Sequence, residues 1–513
     1  MGVTQSMLDA AVPTFEQLQA QLVPLWESMR SMTDDEQTIV VVPSISIASA
    51  DDHDGAELQA LEERFLFLLF LLRQPRARMI YVTSQPIRPE IVDYYLDLLP
   101  GVIASQARQR LHLVNAGDSA SRSLSEKLLS RPRVLGRIRD LIPDPARAHL
   151  VPYSTTERER DLAVALGIPM YATDPAHFVF GTKTGCRRLF HDEQVPHPVG
   201  RQGLTSKAEV ADAIAQLRSD KPHLREVLVK LNEGASGSGN ALLALVDLPP
   251  VGAPEERDAI DAALGTIELE ADELSHDEYW ARLDKLGGIV EERIVGDEVR
   301  SPSVQMRVTP LGELEVLSTH DQLLGGKSGQ TYLGCVFPAD PEYATMITNE
   351  AVKVGVRLAK EGVIGRFAID FLVTREDGGT WEVNAIEINL RKGGTTHPYL
   401  TLQFLTDGSY HPQDGQFTTR AGQPRYFVAT DHAEVAGLRG LSVEDLFELA
   451  VVSGIHYDHT QQTGVVFHML SAVPEHGEVG FTAVDATPEA AGELYEHTVN
   501  LLAAAAEGAW ADV

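Results

Sequence analysis

The segment EINLRKGGTTHP, residues 387–398, places Glu387 and Asn389 two residues apart in an apolar run. In a β-strand, alternate side chains share a face, so these two point the same way, roughly 6–7 Å apart. Ile386, Ile388 and Leu390 then face a core. Upstream, RFAIDFLV reads as a partner strand, with Phe367, Ile369, Phe371 and Val373 on one face and Asp370 on the other. Asp377, Gly378 and Gly379 between them are a turn signal that pairs the strands antiparallel. Asp370, Glu387 and Asn389 thereby converge as oxygen ligands. Oxygen-only ligands suit a hard cation such as Mg²⁺, which is held by one or two carboxylates together with phosphate oxygens in nucleotide chemistry. Arg391 and Lys392 follow at once and place positive charge where an anionic transition state needs it.

The elements that position this segment occupy a 513-residue chain, long enough for roughly three or four domains. Hydrophobic content of 43% with 23% charged residues fits a globular protein. Lys and Arg total 43 against 74 Asp and Glu, a net charge of −31 that repels nucleic acid and excludes it as a partner class. A nucleotide pocket must therefore be a local basic island. Two cysteines distant in sequence, Cys186 and Cys335, indicate no disulfide framework and fit a reduced, cytoplasmic setting. The apolar run 65–72 is far shorter than the roughly 20 residues that span a bilayer and reads as a buried helix, so no membrane association is expected.

Apolar segments at 38–44, 78–84, 111–117 and 148–154 read as buried strands, separated by helical patterns at 56–72 and 89–99. A further helix starts at a capping box of Ser154 and Glu157 and ends at Gly167. This alternation implies a parallel sheet covered on both faces. None of these strands is followed by G-x-G-x-x-G, so a dinucleotide site is not indicated. Three units are expected: an α/β domain at 1–174, a central domain at 175–405 with a lid at about 205–295, and a connector plus small α+β domain at 406–513.

Lys230 ends an apolar strand and precedes Gly234, Ser236, Gly237, Ser238 and Gly239, a loop whose backbone can approach phosphate closely. It is no Walker-A loop, which would close on Gly-Lys-Ser/Thr. In IVEERIVGDE, the hinge Glu291, Glu292, Arg293 and Ile294 offers backbone groups to an adenine edge, and Glu298 offers a carboxylate to ribose hydroxyls. Lys183 in GTKTGCRR is, alone, an ordinary surface charge. His320 and Gln322 open a Gly/Ser/Thr-rich segment that reads equally as a binding loop or a surface connection. His397 follows Thr395 and Thr396; a structural histidine is its default, and no spacing to another His or Cys suggests zinc. A serine-hydrolase G-x-S-x-G is absent.

The order of these motifs resembles the ATP-grasp superfamily of carboxylate–amine ligases. EINLRKGGTTHP, with RFAIDF before it, looks most like the pheganomycin-type peptide ligase family. The resemblance spans most of the chain and implies an α/β (α+β) ATP-grasp fold with preceding and following domains. It implies Lys183 and Lys230 on ATP phosphates beneath the 234–239 loop, residues 291–294 around adenine and Glu298 on ribose. Asp370, Glu387 and Asn389 would carry Mg²⁺, and Arg391, Arg366 and Lys392 would serve the transferring phosphoryl group. His320, Gln322, Thr395, Thr396 and His397 are the substrate candidates. The activity implied is peptide-bond formation between a small carboxylate and an amine through an acyl phosphate. A kinase that releases a phosphorylated metabolite and a non-catalytic ATP-binding module are the alternatives.

Overall fold

The structure, a computed structural model, describes residues 13–30, 36–46, 54–234, 237, 239–271, 274–325 and 331–508. Strands β1 (Gln37–Val42), β2 (Ala77–Thr83), β3 (Leu111–Asn115) and β4 (Ala148–Pro152) pair in parallel in the order β3-β2-β1-β4. Their Val/Ile-rich sequences are explained by burial on both faces, since parallel neighbours need crossover helices that cover the sheet. The expected helix at 56–72 is two elements, an α-helix Gly55–Glu63 continuing as the 3₁₀ helix Arg64–Arg73. The capping box lies two residues beyond the expected one. Thr156 and Glu159 cap the helix Glu157–Leu166, because the Ser154 hydroxyl already accepts from the Ser46 amide.

Strands β5 (Gly200–Leu204), β6 (Glu226–Leu231), β7 (Asn240–Ala244), β8 (Glu268–Leu269) and β9 (Gly288–Glu292) form an antiparallel sheet in the order β5-β9-β6-β7-β8. Helices Lys207–Asp220, Glu256–Ala263 and His276–Leu286 bury Val210, Ile214, Ile260, Tyr279 and Leu283 against it. The remaining long strands make one nine-stranded sheet: β10 (Glu298–Arg300), β11 (Pro302–Val308), β12 (Leu314–Gly325), β13 (Thr331–Phe337), β14 (Gly365–Arg375), β15 (Glu382–Asn389), then, beyond the hairpin β16 (Ser409–His411) and β17 (Gln416–Thr418), β18 (Tyr426–Glu434), β19 (Gly464–His468) and β20 (Glu478–Asp485).

The fold class is therefore the expected mixture of a parallel α/β unit and antiparallel sheets. The relation of the last segment to the rest is different. β18 pairs with β13, Gly334 opposite Thr430 and Phe337 opposite Phe427, so the C-terminal strands extend the central sheet. This covers an edge of β13 that would otherwise present unpaired backbone groups. Both cysteines are free and buried. Among the described residues, no helix is long and apolar enough to cross a membrane.

Glu63 and Arg64 tie the first unit to the last, and Glu62 braces the first unit internally. Glu62 accepts from the amide and hydroxyl of Ser84, both at 2.6 Å, and Glu63 accepts from the Ser471 amide at 3.2 Å. Burial pushes both carboxyls up to about 7. Unfolded, they ionise near 4.5, so folding takes up protons between these limits. Stability is thus expected to fall as pH rises from about 4.5 to about 7, by roughly 3 kcal/mol for each group. Denaturant unfolding at several pH values checks this: the Glu62→Gln, Glu63→Gln double variant should lose most of the slope.

Candidate functional site

A cavity of about 1060 Å³ opens between the five-stranded sheet and the nine-stranded sheet. Its floor is the β14–β15 pair. Asp370 stands directly opposite Glu387, with a β-bulge just after Asp370, and Ala368 stands opposite Asn389. The three oxygen-bearing side chains are thereby gathered on one face, as the alternation in the sequence requires. The Asn389 amide donates to Asp370 Oδ2 at 2.9 Å and to Glu387 Oε1 at 3.1 Å. Burial pushes Asp370 up to about 6 although Lys183, Arg391, Asn389 and Gln322 all favour its ionised form. A buried carboxylate in that condition gains from a further cation. Two carboxylates and an amide oxygen are a donor set that fits a hard divalent ion.

Two lysines come from the opposite side. Lys230, 5% exposed, lies on β6, and Lys183 opens the helix Lys183–Asp192. The amides at that helix start are filled: Lys183 N donates to the Asn232 carbonyl, Thr184 N to Asn232 Oδ1 and Gly185 N to Thr182 Oγ1. It is the Lys183 amine that reaches the floor, in contact with Glu387. Burial and the neighbouring Lys230 hold this amine down at about 8. Lys230 is compensated by Glu291, 2.8 Å away, whose other oxygen accepts from Arg187 at 2.8 Å. Burial alone would raise the Glu291 carboxyl, but the two cations outweigh it and leave it lowered. Gly200 makes room for this cluster, since a Cβ there would stand 2.8 Å from Arg187 Nη2 and 2.4 Å from the Val290 carbonyl.

The loop between β6 and β7 overhangs the cavity through Gly234, Gly237 and Gly239, with Gly237 at φ 83°. Ser236 and Ser238 lie outside the described residues. Arg391, Gln322 and Thr395 also line the cavity, as expected. So does the hinge, although its carboxylates are engaged elsewhere: Glu291 holds Lys230 and Arg187, and Glu292 accepts from the Val199 amide and pairs with Lys221. Arg293 pairs with Glu226 at 2.9 Å, so what the hinge offers the cavity is backbone and the Ile294 side chain.

Several expected residues stand elsewhere. Glu298 is turned onto Arg375, 2.8 Å away, and does not line the cavity. Arg366 is also outside the lining. It stands directly opposite Arg307 on the neighbouring strand; burial, with that second guanidinium, lowers it to about 10. The Lys392 amine donates to the Pro152 carbonyl at 2.6 Å, away from the reacting space, and burial lowers it to about 7. It fixes the turn that carries Tyr153 into the cavity wall. His320 is fully buried, bonded to Ser318 Oγ at 2.8 Å and packed on Phe337. Thr396 Oγ1 accepts from the Gly393 amide and shapes the turn. His397 is buried against His468 and Asp431 behind the wall.

Sequence reasoning missed Arg64, Tyr153 and Asp431, which line the far end of the cavity. Arg64 Nη1 donates to Asp431 Oδ2 at 2.7 Å, and both Arg64 and Arg391 lie over the Tyr153 ring, 5.4 and 5.9 Å from its centre. The available signal was a Glu-Glu-Arg triplet at the mouth of a run of apolar residues, where charge is costly unless it is paired.

A family model described as IQCH-like, ATP-grasp matches residues 175–257 and 274–412, and one described as PGM1 C-terminal domain matches residues 445–498. The L-propargylglycine–L-glutamate ligase of Streptantibioticus cattleyicolor is 29% identical over 469 residues, covering 90% of this chain and 93% of that protein. Among solved structures, the Campylobacter jejuni biotin carboxylase bound to β,γ-ATP gives a TM-score of 0.53 at 11% identity, over 93% of this chain and 96% of its own. The ADP complex of N5-carboxyaminoimidazole ribonucleotide synthetase gives 0.52 at 11% identity, over 91% and 97%. At these identities the structural likeness speaks for the fold.

Removing Glu291 would leave Lys230 and Arg187 buried without their shared counter-charge. Glu291→Ala is expected to cost about 3–5 kcal/mol in denaturant unfolding, far more than Glu298→Ala at the exposed Arg375 pair.

Proposed function

From the premise that this chain belongs to the ATP-grasp superfamily, we propose that it is an ATP- and Mg²⁺-dependent ligase joining a carboxylate to an amine. The observation that carries this reading is one cavity with two lysines on the upper wall and three convergent oxygen donors on the floor. Lys183 and Lys230 would hold the nucleotide phosphates, and Asp370, Glu387 and Asn389 would hold Mg²⁺. Bound there, Mg²⁺ would supply charge neutralisation at the phosphates.

A carboxylate is a poor electrophile because oxide is a poor leaving group. Attack of a carboxylate oxygen on the γ-phosphorus breaks the bond to ADP and forms an acyl phosphate. The amine nitrogen then attacks the acyl carbon, the carbon–oxygen bond to phosphate breaks, and the nitrogen releases a proton. Positioning and charge neutralisation are the protein's part in such a reaction. Arg391, beside Asp370 and Tyr153, is the arginine placed to meet the developing negative charge. The glycine loop overhanging the cavity would limit water access, which an acyl phosphate requires. Both substrates are taken to be amino acids or short peptides, by analogy with the Streptantibioticus cattleyicolor ligase, and would occupy the end lined by Arg64, Tyr153 and Asp431.

The test is ADP and phosphate release with paired amino acids and short peptides, with products read by mass spectrometry. ADP should appear when acid and amine are both supplied, together with an amide product. Glu387→Ala should lower turnover by roughly 10²–10³-fold while the fold is retained. Wild-type ADP release by this variant would overturn the assignment, and a stable phosphorylated product without amide would make the protein a kinase.

A further inference from the structure

We propose that His397, His468 and Asp431 form a second cation site, taking one divalent transition-metal ion through two imidazole nitrogens and one carboxylate oxygen. The three residues come from separate elements: the first turn of the helix Thr396–Thr406, β18 and the end of β19. They are 4%, 3% and 3% exposed. His397 Nε2 lies 3.0 Å from His468 Nε2 and 3.1 Å from Asp431 Oδ1, and His468 Nε2 lies 2.8 Å from the same oxygen.

The three distances are ordinary hydrogen-bond lengths, but two neutral imidazoles and an ionised carboxylate lack the donors and acceptors to satisfy all three sides. Each neutral imidazole has one N–H. If both rings aim it at Asp431 Oδ1, two donors meet nitrogen to nitrogen; if either turns it away, a lone pair faces the carboxylate. An ammonium group does not solve this, because three acceptors at ~2.8 Å around a tetrahedral nitrogen stand ~4.6 Å apart. An ion with three ligands at ~2.1 Å and right angles between them sets those ligands ~3.0 Å apart, the spacing of a two-histidine, one-carboxylate facial set.

The surroundings fit the same reading. Arg64 occupies Asp431 Oδ2 at 2.7 Å, which orients the carboxylate and leaves Oδ1 to the two rings, as an outer partner of a ligand does. Gly480 keeps space beside the second ring, since a Cβ there would stand 2.1 Å from His468 Nε2. Among the described residues His397 Nδ1 has no hydrogen-bond partner, so the tautomer of that ring is set by whatever stands at Nε2. Asp431 and Arg64 line the cavity, so an ion here is reached from it. The mixed nitrogen and oxygen donors select zinc, iron, cobalt or nickel over magnesium, which the oxygen-only trio takes.

The experiment uses the full chain, stripped with chelator and then given Zn²⁺ or Co²⁺ without nucleotide. One equivalent should survive desalting, and Co²⁺ should give a visible d–d band in the wild-type protein. His397→Ala and His468→Ala should each abolish the band and weaken Zn²⁺ binding by at least roughly 100-fold. Glu387→Ala should keep both, which separates this site from the oxygen trio. Failure of the wild-type protein to retain either metal would overturn the proposal, as would a band that persists in the histidine variants. Either result leaves the ligase assignment untouched, because ADP release is not read.

Discussion

Four charged groups, Lys183, Lys230, Asp370 and Glu387, share one buried space, and the rest of the molecule is arranged so that this is tolerable. No two like charges there are left to face each other alone. Lys183 is set between Lys230, which disfavours its charge, and Glu387, which it contacts. Lys230 leans on Glu291, and Glu291 in turn needs Arg187. The two floor carboxylates are bridged by the Asn389 amide. Charges kept ready in a low-dielectric cavity act strongly on a charged ligand, but each must be compensated until the ligand arrives.

Backbone pairing supplies the precision. The β14–β15 register sets Asp370 opposite Glu387, and a slip of β15 by one residue would turn Glu387 into the core. Cys186, three residues after Lys183, accepts from the Ile388 amide at 3.2 Å, between Glu387 and Asn389. The thiol thereby couples the helix that presents the upper lysine to the strand that presents the floor. Its burial raises its pKa to about 11, so it stays a thiol and a structural link.

What the sequence made legible follows from locality. The trio on β14 and β15 is encoded by a period of two and a turn within 20 residues, and the structure reproduces its pairing. Lys230 and its loop are equally local. Where residues are joined only by tertiary packing, spacing carries no signal. His397 and His468 are 71 residues apart, and Arg64 and Asp431 are 367 apart, yet each pair is in contact. Glu298, Arg366 and Lys392 illustrate the opposite error. All three sit beside site residues in sequence, but Glu298 turns to Arg375, Arg366 stands four residues down β14 from Asp370 and opposite Arg307, and Lys392 turns to Pro152. The capping box was displaced for a similar reason, since Ser154 was already bonded to Ser46.

The pairing of β18 with β13 gives the cavity its shape at the end away from the lysines. A C-terminal unit tethered by a loop could present Asp431 at many distances from Arg64. A strand that extends the central sheet presents it at one. Arg64 closes this arrangement from the first unit, and Glu63 holds Ser471 alongside. Three stretches of chain that fold around separate strands are thus locked by buried polar contacts at their common border. Such contacts are unfavourable unless complete, so the border specifies one assembled geometry rather than adding much stability. A reaction that passes a labile acyl group to an amine needs that fixed far wall as much as it needs the phosphate end, because orientation of the second substrate decides whether the amine or water arrives first.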